Sequence, residues 1–217
     1  MVYRVQGIQN LIIKNAIWMG WNLFLAFIPL LIALIVFNKN FWKGSLLNKI
    51  VTFIVFLIFY FFLPNAPYVL TDVIHLSRQI RDYRYFRIND TQIILILIPQ
   101  YILFFFLGFS CYVLAFQKFL HWLLEIKLLK IEVSNLIIAI IKIVNPFIMS
   151  IGIFLGRYYR FNSWDLISNY DNIVNITLEQ FSKIDFFVFI FIISITIFVG
   201  FEILSIFYRS IFKKMFE

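Results

Sequence analysis

Four stretches of the chain are apolar over about 20 residues or more, the length needed to cross a hydrocarbon core of about 30 Å. They run from Ile17 to Phe37, Ile93 to Phe116, Leu136 to Leu155 and Phe186 to Tyr208, and each predicts a transmembrane helix. A fifth stretch, Ile50 to Leu63, covers only about 21 Å at 1.5 Å per residue and falls short alone. It reaches the required length in one of two ways. The helix can start at Ser45, with Asn48 and Lys49 snorkelling to the interface, or it can run on through Pro64-Asn65-Ala66-Pro67 into Tyr68-Val69-Leu70. Each proline removes a backbone donor and disfavours helix in the residue before it, so Leu63 and Ala66 are expected to be extended. Such a break is tolerated at membrane depth only where it is buried in protein or faces a water-filled cavity. The segment therefore predicts a polar pocket.

Pro67 suits the first position of a new helix, capped by Asn65 or Ala66. At 100° per residue from Asp72, that helix places His75, Gln79 and Asp82 on one arc, with Thr71 and Arg78 beside it. Val69, Val73, Leu76 and Ile80 form the opposite stripe. The pattern is that of an amphipathic helix near the interface, and a surface helix with a solvated face explains it equally well. Residues 118 to 132 alternate Lys118, Lys127 and Lys130 with Leu and Ile, and read as an interfacial turn in which His121 and Trp122 join an aromatic belt.

Composition agrees with the pattern: 63% of the 217 residues are hydrophobic and 14% charged, with a mean hydropathy of +0.92, far from the roughly 25% charged of a soluble domain. No Gly/Ser/Pro linker or change of composition divides the chain, so residues 1–217 are expected to form one domain. The fold class is all-α, an integral membrane bundle of about five transmembrane helices with a proline-broken second span and an amphipathic interfacial helix after it. The net charge of +8 points to anionic lipid headgroups, worth about 1 kcal/mol per basic residue near the surface. Membrane lipids are thus the expected partners, and nucleic acid is not. The single Cys111 supports neither a disulfide framework nor a thiolate cluster. Arg4 and Lys14 precede the first apolar run without an A-x-A-like site after it, which reads as an uncleaved first span.

A second polar constellation closes the fourth span, GIFLGRYYRFNSWD at 152–165. Gly152 and Gly156 mark a close helix contact of the small-xxx-small type. Arg157 and Arg160 share a face and offer forked donors matched to phosphate or carboxylate oxygens, and Asn162, Ser163, Trp164 and Asp165 follow at once. A positively charged membrane edge accounts for the arginines but not for the dense polar run. If all five segments cross, the second and fourth end on the same side as the N-terminus. Asn65, Asp72, His75, Arg157, Arg160 and Asp165 are then expected to converge on one water-accessible pocket, because polar groups at such depth are costly unless they pair or reach water.

Three segments in this order, WNLFLAFIPL at 21–30, FLPNAPYVLTDVIHL at 62–76 and GRYYRFNSWD at 156–165, resemble the signature segments of the domain of unknown function 1361 family of bacterial membrane proteins. The resemblance runs from about Trp21 to Asp165. It implies a polytopic membrane protein and brings no reaction with it.

Three functions remain open on these residues. An enzyme at the membrane edge would act on a lipid-linked or phosphorylated substrate through Asp72, His75 and Asp165, with Asn65, Thr71, Asp82, Arg157, Arg160, Asn162 and Trp164 holding an anionic headgroup. With only His75 and His121 in the chain, a metal there would need mainly oxygen ligands such as Asp82 or Asp165, and the sequence does not identify a cofactor. The second function is transport or binding, in which a discontinuous helix presents backbone groups to a solute. The third is an accessory membrane protein whose polar motifs lock helices together.

Localisation is expected to be the cell membrane, multi-pass. Nine basic residues fall on each side of the five-span arrangement. One side, with Lys39, Lys43, Lys49, Lys118, Lys127, Lys130, Arg209, Lys213 and Lys214, is mostly Lys in short loops, whereas Arg78, Arg81, Arg157 and Arg160 opposite belong to or border the pocket. The expectation is a cytoplasmic C-terminus and an extracytoplasmic site, which a C-terminal reporter active only in the outer compartment overturns. Two charges remain inside spans. Lys142 and Glu202 lie at matched depth, about 10 and 9 Å from the span ends near Asn135 and Tyr208. Either they pair, or Lys142 snorkels alone while Glu202 stays protonated.

Overall fold

The computed structural model describes residues 2–85, 90–126 and 131–211, which are mostly helical with no strand among them. Lys127, Lys130, Lys213 and Lys214 of the charge count lie outside the described residues. Five helical stretches are long and apolar enough to cross a membrane: Ile12–Val36, Leu46–Asp82, Ile93–Glu125, Asn135–Tyr159 and Ile184–Tyr208. The first belongs to α1 (Val2–Val36), which the short α2 (Lys39–Trp42) joins to α3 (Leu46–Phe62). Ser45 caps α3, its Oγ accepting the Asn48 backbone N–H at 3.4 Å. This is the earlier of the two starts that lengthen the second span.

The second span takes the other extension as well, and at the proline pair its α-helix is interrupted between Phe62 and Asn65. Leu63, Pro64, Tyr68 and Val69 all keep right-handed helical dihedrals, so the expected extended geometry does not occur. The local hydrogen bonds show why the chain keeps a helical path across this interruption. Pro67 cannot donate to the Leu63 carbonyl, and the Ala66 N–H takes that carbonyl instead at 3.2 Å. The Phe62 carbonyl then accepts from Asn65 Nδ2 at 3.0 Å. Asn65 thus repairs the backbone ladder that the prolines interrupt. The chain continues through α4 (Asn65–Tyr68) and a tight turn of 3-10 helix, Val69–Asp72, into α5 (Val73–Tyr85).

After α6 (Asp90–Gln92), a turn of π-helix over Ile93–Leu97 leads into α7 (Ile98–Glu125). Residues 118–125 continue this helix rather than forming a turn, and Trp122 is buried, stacked on Phe37 at 5.0 Å between centroids and edge-on to Trp42 at 5.6 Å. The third span outlasts the first, so its end packs against the α1–α2 connection instead of joining an aromatic belt. The fourth span is in α8 (Ile131–Tyr159) and the fifth in α11 (Ile184–Ile211), with α9 (Asp165–Ser168) and α10 (Tyr170–Gln180) between them.

Aromatic contacts fix the arrangement. Parallel α1 and α7 meet through Trp18 with Tyr101 and Phe104 at one end and Phe37 with Phe119 at the other. The antiparallel pair α8 and α11 meets through Phe154 with Phe186 and Phe189. The second span joins the two groups. A Cβ at Gly108 would lie 2.7 Å from Val69, one at Gly152 2.9 Å from Pro64, and one at Gly156 3.4 Å from the Tyr68 ring. The close contact expected at Gly152 and Gly156 is therefore made with the proline turn.

Candidate functional site

Where α8 passes the 3-10 turn, Arg157 reaches across to the second span. Its Nε donates to Thr71 Oγ1 at 3.1 Å, Nη2 to the same hydroxyl and to Asp72 Oδ1 at 2.6 Å, and Nη1 lies 3.3 Å from His75 Nε2. The guanidinium also sits 4.4 Å from the centre of the Tyr68 ring. The same His75 Nε2 lies 3.7 Å from Asp72 Oδ1. Asp72 is 2% exposed, and its Oδ2 has no partner among the described residues. Arg157 is therefore the cation that makes burial of Asp72 tolerable. Asp72 and His75 share this guanidinium.

Arg157 also lines the cleft, but most of its donors are engaged within the protein. The other two nearby arginines differ. Arg78 and Arg160 are exposed and make no ion pair or hydrogen bond among the described residues. Arg160 also ends α8 with a left-handed φ of 58°, a conformation that costs an L-residue about 1–2 kcal/mol and that glycine adopts freely. The turn sends the chain back over the end of α4, where Asn65 Nδ2 donates to Ser163 Oγ at 2.8 Å.

These groups surround a cleft of about 820 Å³. Its mouth carries Asn65, His75, Arg78, Arg160, Asn162 and Ser163, and its walls come from spans 1 and 4 across a floor of span 2. Of the other residues in the sequence-based site, Thr71 and Asp72 lie behind Arg157 and do not line the cleft. Asp165 accepts from the Asn162 backbone N–H at 2.6 Å and so closes its own loop turn. Trp164 and Asp82 are exposed and stand away from the lining. No group of three His, Cys, Asp or Glu side chains able to hold a metal ion occurs among the described residues. The oxygen-rich metal site is thus not assembled, because Asp82 lies beyond the cleft on α5 and Asp165 is engaged with its loop.

The site also borders span 1. His75 packs on Trp18 at 5.8 Å between centroids, and Trp18 lies about 9 Å along the first span from Ile12 at 1.5 Å per residue. Above it Asn15, Gln79 and Gln100 form a network the sequence reading missed: Asn15 Nδ2 donates to Gln79 Oε1 at 3.0 Å and Gln100 Oε1 at 3.3 Å, and Gln79 Nε2 returns a bond to Asn15 Oδ1 at 2.9 Å. The available signal was amide side chains at the starts of two apolar runs. Tyr68 and Asn22, also lining the cleft, gave none beyond their polarity.

The family model described as "Protein of unknown function (DUF1361)" matches residues 21–213. No curated protein and no solved structure matches the chain.

Proposed function

The chain belongs to the DUF1361 family, and we propose that it works by holding an anionic group of the phosphate class in the cleft between spans 1, 2 and 4. One observation carries this reading: two arginines with no ion pair or hydrogen bond among the described residues line the mouth among amides and a hydroxyl, while the third is neutralised by Asp72. Arg160 adds to it. An arginine held at a left-handed φ where glycine is preferred is kept for its side chain and not for the turn.

The reading separates binding from folding. Arg160→Gly is expected to leave the thermal midpoint of the purified protein unchanged or raised, because it relieves the backbone. The same change, like Arg78→Gln, should weaken stabilisation by inorganic phosphate about tenfold in concentration, equivalent to about 1.4 kcal/mol. Equal phosphate response in wild type and both variants removes the anion site.

A hydrolase or transferase acting on the same headgroup is the second reading. It rests on His75, the one residue of Asp72, His75 and Asp165 that reaches the cleft. Release of inorganic phosphate from a bound phosphomonoester, lost in His75→Gln while binding persists, separates catalysis from binding alone.

A further inference from the structure

Beneath its charged mouth the cleft becomes apolar. Leu25 of span 1, Tyr60 and Phe61 of span 2, and Ile148 and Ile151 of span 4 line this lower part. Ile148 lies about 13 Å along α8 from Arg157 at 1.5 Å per residue, so the slot runs well into the bilayer. Its two walls are held apart: α1 packs on α3, α4 and α7, whereas α8 packs on α11 and touches the second span at α4. Trp21 on one rim is 56% exposed and Ile148 on the other 46%, which leaves the slot open sideways between spans 1 and 4.

An apolar slot at hydrocarbon depth is a poor place for water, which needs two to four polar partners. An alkyl chain fills it without such a requirement. The chain gains little by leaving surrounding lipid, since lipid tails are as apolar as leucine, so affinity must come from the head and the slot must act through fit and entry. Head and slot together match one kind of molecule. We propose, resting on the anion-binding reading above, that the ligand is a membrane lipid with a phosphate headgroup, which enters from the bilayer between spans 1 and 4. Its phosphate meets Arg78 and Arg160, and its chain lies along Leu25, Phe61 and Ile151.

The test compares two sources of the same phosphate chemistry. The full chain is placed in phosphatidylcholine nanodiscs with or without a small fraction of dioleoyl phosphatidate, and retained phosphatidate is counted by native mass spectrometry. Stabilisation by inorganic phosphate is measured in parallel. Leu25→Trp and Ile148→Trp fill the slot from opposite walls, and each is expected to lower phosphatidate retention relative to the phosphate response about tenfold. Phosphatidate retained undiminished in both variants, with phosphate response intact, shows that its chain does not lie in the slot and overturns the lipid inference while the anion site stands. If Arg160→Gly and Arg78→Gln change neither readout, the anion site itself falls. Should the tryptophan variants fail to fold, chain-brominated phosphatidate in the unmodified protein reads the same question. Its quenching should exceed that of equally brominated phosphatidylcholine and should be lost in Trp21→Phe; equal quenching by the two lipids overturns the proposal.

Discussion

Replacing Arg157 with methionine should lower the stability of the protein by about 3–5 kcal/mol, the cost of leaving a buried charge without its partner. The stranded group is Asp72, 2% exposed and with Oδ2 unpaired among the described residues, which would lose its 2.6 Å ion pair with Arg157. For a chain of this size that loss corresponds to a fall in thermal midpoint on the order of 10 °C. Asp72→Asn should cost less, because the remaining guanidinium is 15% exposed and lies at a cleft. The double variant should be more stable than Arg157→Met alone, since it buries no uncompensated charge. Arg157→Lys should rescue only partly: one ammonium cannot bond Thr71 and Asp72 as a planar fork while also reaching His75. Thermal melts of the four variants in one detergent decide the matter. If Arg157→Met melts with the wild type and loses only phosphate response, Arg157 is a ligand receptor after all and the internal ion pair is incidental.

The difference between those outcomes is also the difference between what the sequence could and could not reveal about this site. Arg157 and Asp72 are 85 residues apart, and span parity alone places them on one side of the membrane. Parity does not say whether an arginine points at a ligand or at a carboxylate. Arg157 and Arg160 look equivalent as a pair three residues apart, yet the helix ends between them. One projects back onto the second span, and the other is carried by a left-handed residue to the cleft mouth. Spans were legible because a bilayer imposes a minimum apolar length. The interruption at the proline pair was legible but its helical dihedrals were not, for a related reason: the rules for proline consider its neighbours in the backbone, and the repair came from a side chain, the Asn65 amide on the Phe62 carbonyl. Asp82 shows the limit of projecting a helical arc. It shares a face with His75, but the cleft ends before reaching it.

The charges within spans 4 and 5 were legible from depth alone, and the structure closes the alternative left open by the sequence. Lys142 Nζ lies 2.9 Å from Glu202 Oε1 and 5.6 Å from the Phe201 ring centre, so the lysine does not snorkel away alone. A single charge in the hydrocarbon centre costs about 2.5–3.5 kcal/mol on insertion scales, and at about 10 Å from a span end the cost is somewhat lower. Lys142→Ala should therefore destabilise the protein by about 2 kcal/mol, chiefly by stranding Glu202. Adding Glu202→Ala should restore part of that loss, with a coupling of about 0.5–2 kcal/mol. Replacing both by Met and Leu should approach wild-type stability, because two apolar groups of similar volume need no partner at this depth. The pair also joins spans 4 and 5, which pack along each other as an antiparallel couple through Phe154 and Phe186. Its loss should loosen the end near Asn135 and Tyr208, so hydrogen exchange should quicken there before it does at residues 150–160. Strict additivity of the single variants in a denaturant titration would leave the ion pair without energetic weight and return Lys142 to the role of an interface anchor.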